Sequence, residues 1–224
     1  MKKSYLLFLF TLAIMLYGCA ALQPLYYGTY NIELTQVERP AEASKRYGEI
    51  KISPVDDKGV TKYSFEDNLV NVVWLVTNED ISFAIENKTD YSMKIIWDDA
   101  AFVDSKGQSQ RVMHAGVKYT DRNNSEPSTV VVRKGKITDV VQPVDLVYYE
   151  EPYYGKYYSS PGGWHERPMF DYSIRNGNEQ TVTDLLKSNV GKQIQVLLPL
   201  KIEETVNDYI FTFTIKGYTY KGAM

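Results

Sequence analysis

Alternation of apolar and polar residues with period two runs through most of this chain and is strongest near its C-terminal end. Ile194, Val196, Leu198, Leu200 and Ile202 alternate with mainly polar neighbours. Residues 203–208 read as a polar turn, and Tyr209, Phe211, Phe213 and Ile215 then alternate with Thr212, Thr214 and Lys216. Successive side chains on a strand point to opposite faces, so this spacing predicts a hairpin with one buried face. Pro199 has no backbone donor, which predicts a bulge or an edge position for the first strand of the pair.

The same pattern recurs upstream. Val72, Trp74 and Val76 form one strand; Ile81, Phe83 and Ile85 form another, and after Asn87-Lys88-Thr89-Asp90 the residues Met93, Ile95 and Trp97 return as its hairpin partner. Asp104-Ser105-Lys106-Gly107 turns between residues 101–103 and 111–113, and residues 128–133 and 136–141 continue the pattern across Lys134-Gly135. Weaker strands are read at 30–34, 49–53 and 61–65. One stretch is helical in pattern: Thr181 is placed as the N-cap, with Asp184 as a capping-box variant, Val182, Leu185 and Leu186 as the apolar stripe, and Gly191 as the stop.

With many short strands and one short helix, the expected fold class is all-β, an antiparallel sandwich. Residues 81–112, with the Asn-Lys-Thr-Asp turn, Trp97 and the Gly107 hairpin, together with Leu197-Leu198-Pro199-Leu200, resemble immunoglobulin-like β-sandwich domains of bacterial lipoproteins. The resemblance covers about half the chain. It lacks the pair of cysteines that flanks a buried Trp in true immunoglobulin domains, since the chain has one Cys, so Trp97 is read as core. Residues 26–224 are expected to form a single domain, with no internal repeat or linker.

The N-terminus carries a different signal. Lys2 and Lys3 precede an almost wholly apolar run at 5–17, whose thirteen residues fall short of the roughly 20 a membrane-spanning helix needs but suit a signal peptide. Leu16-Tyr17-Gly18-Cys19 then resembles the bacterial lipobox: Leu16, Gly18 and Cys19 match, and Tyr17 stands where a small residue is commoner. That resemblance implies cleavage after residue 18 and a diacylglycerol thioether on Cys19, with residues 19–25 as a lipidated tether. Cys19 is the chain's only cysteine, so it has no disulfide partner within the chain. Two or more acyl chains anchor durably. Ala20 stands where an Asp would signal inner-membrane retention, so the expected location is the cell envelope, anchored at the outer membrane and facing the periplasm.

Loss of residues 1–18 removes Lys2 and Lys3 and takes the formal charge from −3 to −5. No basic cluster remains, which excludes the positive face that nucleic-acid binding requires. At 44% hydrophobic residues, the chain can build a core without disulfides or metals.

Catalytic constellations are not evident. His114 and His165 lie fifty-one residues apart with no Cys to complete a zinc set, and His114 is read as a solvated or hydrogen-bonded loop residue. The acidic doublets Asp56/Asp57, Asp98/Asp99, Glu150/Glu151 and Glu203/Glu204 would point opposite ways on a strand and are read as solvated turns rather than a glycosidase pair. Calcium at Asp98, Asp99 and Asp104 matches no EF-hand spacing. No phosphate-binding glycine loop or nucleophile elbow is present. No cofactor and no enzymatic activity are expected.

Residues 147–170 stand apart. Tyr148, Tyr149, Tyr153, Tyr154, Tyr157 and Tyr158 come in pairs, followed by Pro161-Gly162-Gly163-Trp164-His165. Two readings are open: a contact surface built from wide amphipathic rings, or a flap or disordered loop whose rings complete the core. Three functions follow: a non-catalytic binding or assembly module with an envelope protein partner; a glycan-binding platform of Trp164 and tyrosines; and a hydrolase, for which no facing carboxylates are visible.

Overall fold

In the computed structural model, residues 23–40, 44–156 and 158–224 are described. Cys19 and the segment expected to be a signal peptide lie outside them, as does Tyr157. The C-terminal alternation is realised as β17 (Gln193–Ile202) and β18 (Thr205–Ala223), paired antiparallel in unbroken register from Gln193↔Thr214 to Ile202↔Thr205. Their turn is only Glu203-Glu204, with Glu203 at φ 53°, tighter than the six-residue turn read from the sequence. Asn207 belongs to the strand although polar and fully buried, because its amide donates to Leu200 O and Thr205 O and its oxygen accepts from Tyr47 Oη.

Around this hairpin the described residues form a nine-stranded sheet. Its order is β11 (Gln142–Pro143), β8 (Ser109–Met113), β7 (Ala101–Val103), β17, β18, β1 (Leu25–Glu38) and β16 (Ser173–Arg175). β6 (Met93–Ile95) also pairs with β17 and carries β9 (Thr129–Val131) on its other side. The second sheet runs β10 (Lys136–Val140), β5 (Ile81–Asn87), β4 (Val70–Val76), β3 (Val60–Glu66) and β2 (Lys51–Asp57). All recorded pairings in both are antiparallel, and the sheets face each other as a β-sandwich. Trp74 on β4 lies 4.8 Å from Phe211 and 5.3 Å from Phe213 on β18, and Phe65 on β3 meets Phe211 edge-on at 5.6 Å. Each buried aromatic of this kind contributes roughly 1.5–3 kcal/mol by leaving water.

Three sequence expectations are corrected. Strands β5 and β6 do not form a hairpin, nor do β9 and β10: in both cases the chain leaves one sheet for the other. The reason is Asn87, fully buried at that corner. Its amide donates to Tyr91 O, Val131 O and Val132 O, its side-chain oxygen accepts from Thr89 N and Oγ1, and its backbone N–H donates to Gly135 O, so one residue fastens both crossings.

Pro199 sits neither at an edge nor at a bulge. Its carbonyl accepts Ile96 N, so its nitrogen faces the same side, the junction where β6 gives way to β7 and no ladder donor is needed. The helix is Glu179–Asn189, capped by Asn178 rather than Thr181: Asn178 Oδ1 accepts Thr181 N and Thr181 Oγ1 accepts Asn178 N, each at 2.9 Å. Val182 and Leu186 are its fully buried residues. A single helical turn, Ser44–Tyr47, was not anticipated.

Candidate functional site

The tyrosine-rich stretch is a β-ribbon that belongs to neither sheet. β12 (Val147–Glu150) pairs with β15 (Gly163–Glu166), and β13 (Tyr153–Tyr154) pairs with β14 (Ser159–Ser160). Both ladders share one register, since Glu150↔Gly163 and Tyr153↔Ser160 are separated by the same number of residues on each side. Pro152 and Pro161 fall opposite each other in the gap, and neither has an N–H to give, so the ladder is interrupted there. Gly162 (φ 72°) makes the crossing compact: a Cβ would stand 2.5 Å from Glu150 O and 2.7 Å from Pro152 N. Beyond the tip ladder the chain reverses, with Gly155 N donating to Tyr158 O at 2.9 Å. The stretch is thus paired backbone rather than a loop. Tyrosines come in doublets, so both faces of the ribbon carry the same residue type and the alternation is masked.

The base of the ribbon is rooted in the body. Val147 is buried with Met113 and Val144 in a small second core, and Trp164 packs against it together with Val117 and Tyr119. Tyr149 and Tyr119 meet the Trp164 ring edge-on, at 5.3 Å and 63° and at 5.9 Å and 61°, and the Arg122 guanidinium lies 4.8 Å from its centre. Trp164 is therefore an anchor, and these three rings do not share the plane that a glycan stack would use. The Tyr119 hydroxyl is held by the Glu166 carboxylate, which, ahead of burial, pushes it up to about 12. On the opposite face Tyr148 stacks on His165, at 5.5 Å and 29°, with the Arg167 guanidinium 4.5 Å from its ring centre, and His165 Nε2 lies 3.2 Å from Glu150 Oε2.

The tip is different in kind. Tyr153, Tyr154 and Tyr158 are 59%, 80% and 66% exposed, with Tyr153 and Tyr158 nearly parallel at 6.2 Å and 28°. Tyr149 is also exposed and Tyr148 half-buried. Of the residues singled out from sequence, the structure thus divides anchors (Tyr148, Tyr149, Trp164) from a presented cluster (Tyr153, Tyr154, Tyr158).

A second constellation was not foreseen. His114 is largely buried, its ring lying flat on Trp97 at 4.5 Å and 4°, with Asp139 Oδ2 3.3 Å from Nδ1 and Glu126 Oε2 3.7 Å from Nε2. His114 lies outside the strands, as expected of a loop residue, but its ring is buried rather than solvated; its acidic neighbours come from distant parts of the sequence, which spacing could not reveal. A cleft of about 250 Å³ opens beside it, bordered also by Asp80, Tyr119 and Glu166. Burial, then the nearby Glu166 and Glu79 charges, raises the Asp80 carboxyl. Among the described residues no three His, Cys, Asp or Glu side chains are grouped to hold a metal ion. Asp98 instead accepts from Ser125 and Glu126 N, and Asp104 from Lys106 N and Gln108 N. No family model, curated protein or solved structure matches this chain.

Proposed function

We propose that this chain is a lipid-anchored protein of the cell envelope, held at the outer membrane through Cys19, acting as a non-catalytic binding or assembly module. Its contact element is the tip of the tyrosine ribbon, and its partner is another envelope protein. The observation that carries this reading is the exposure of Tyr153, Tyr154 and Tyr158 on a hairpin outside both sheets. Aromatic rings already held by a rooted ribbon lose little freedom on contact and bury a large area each, which is the composition of a binding hot spot. The anchor rests on the lipobox resemblance of Leu16, Gly18 and Cys19.

Two experiments test the two halves. A photoreactive side chain at position 154, in cells making the chain with its own N-terminus, should yield one discrete protein adduct that disappears when Tyr153 and Tyr158 are both changed to Ser. An adduct indifferent to those changes, or none, contradicts the ribbon as contact element. Cys19→Ser should move the protein from the detergent phase to the aqueous phase; an unchanged partition removes the anchor.

A further inference from the structure

His114 follows β8 directly and lies between two acids from separate elements, Asp139 on β10 and Glu126 in the segment before β9. Both carboxyl groups are shut away from solvent, with side-chain exposures of 4% for Glu126 and 7% for Asp139. Asp139 has backbone partners, its Oδ1 accepting Ala115 N and Val140 N at 2.8 Å. Glu126 is poorly served: neither of its oxygens makes a well-formed hydrogen bond, and against its burial stand only the His114 ring, the Arg111 charge and the His114 backbone N–H. The ring does not complete it, since Nδ1 makes no well-formed hydrogen bond and Nε2 stands 3.7 Å from Glu126 Oε2. An ionised Glu126 is thus a buried carboxylate without adequate partners, the arrangement that low-dielectric surroundings penalise most.

The remaining charges around the cluster relieve this only in part, Arg111 favouring the charged carboxyl without bonding to it. Arg111 is engaged by Asn123 O, Asn124 O and Asp98, and Asp98 itself accepts Glu126 N at 2.9 Å. Across the cleft stand Asp80 and Glu166, with the Tyr119 hydroxyl bound to the latter. What the cluster fastens is the segment 114–126, and that segment carries Tyr119 and Arg122, two of the side chains that pack on Trp164 at the root of the ribbon.

We propose that Glu126, His114 and Asp139 form a proton-operated latch, closed while Glu126 carries a proton against the His114 ring and opened when that proton passes to solvent. Opening expels Glu126, loosens 114–126 and removes the cover from Trp164, so the ribbon gains freedom as pH rises. The direction agrees with burial, which raises the Glu126 carboxyl ahead of the opposing effect of His114. A buried acid that binds its proton more tightly when folded stabilises the closed form at low pH and ceases to do so as pH rises through its folded value.

Amide exchange on the full chain, followed across the ordinary carboxyl and imidazole ranges, roughly pH 4 to 8, tests the latch. Protection factors in 114–126 and in the ribbon base should fall by about tenfold per pH unit above the titration point, one proton per opening, while those of β17 and β18 hold. Glu126→Gln, whose amide can donate to a neutral ring nitrogen, should flatten the dependence; Glu126→Met, uncharged and of similar length, is the second control should the amide not be accommodated. A pH-independent wild type, or variants that keep its slope, would overturn the latch. The readout is amide protection and not partner capture, so failure here and failure of the binding role are distinguishable.

Discussion

Tyr209 Oη donates to Asp67 Oδ2 at 2.9 Å, joining β18 in the large sheet to the turn between β3 and β4 in the small one. Asp67 is fully buried yet complete: Oδ1 accepts Leu69 N and Val70 N at 2.8 and 3.0 Å, and Oδ2 also receives Arg39 Nη1 at 3.1 Å. Burial, and then the Asp67 charge, pushes the Tyr209 hydroxyl far above its ordinary range, so it remains a donor wherever the fold survives.

Tyr209→Phe should therefore cost about 1–3 kcal/mol, the penalty for taking one donor from a buried charged acceptor. Asp67→Ala should cost more, about 3–5 kcal/mol, because the mostly buried Arg39 keeps its bonds to Tyr47 O and Gly48 O but loses its counter-charge. Urea midpoints at constant m-value check both; a Tyr209→Phe variant as stable as wild type would show that the bond between the sheets contributes nothing.

Gly162→Ala should separate ribbon from sandwich. The left-handed backbone and the 2.5 Å approach to Glu150 O leave no room for a methyl group. Exchange protection at the tip ladder should be lost, while the thermal midpoint moves by only a few degrees, since neither sheet is touched. Tip amides protected as in wild type would contradict the close crossing.

Tyr119 offers a pH test of the ribbon's seat. Its hydroxyl, pushed up to about 12 by the Glu166 carboxylate, favours the folded state fully below the ordinary tyrosine value, and that contribution is lost as pH rises through about 12. Absorbance titration of wild type against Glu166→Gln should show one tyrosine ionising earlier in the variant. Identical curves would place Glu166 away from Tyr119.

Much of the sandwich was legible because burial imposes period two: β4, β5, β17 and the central part of β18 follow their apolar residues closely. Where a strand goes next was not legible. Asn87-Lys88-Thr89-Asp90 and Lys134-Gly135 read as hairpin turns, and only the bonds of Asn87 to both crossings show that the chain changes sheets. The helix was found with its cap misplaced by one turn, because Asn178 and Thr181 both suit the position and their reciprocal bonding is settled in space. The site was half legible. The tyrosines drew notice by composition, but doublets hide a ribbon's two faces, and the Glu126, His114 and Asp139 cluster unites residues that no sequence window contains.

The proposed contact at the ribbon tip is tested by amide exchange across residues 147–166 of the detergent-solubilised full chain, with and without an envelope-protein fraction. Exchange at Tyr154 and Tyr158 should slow when the fraction is added, with the ribbon base unchanged. Tip amides whose exchange is the same in both samples, while another surface becomes protected, would contradict it and move the contact elsewhere on the sandwich.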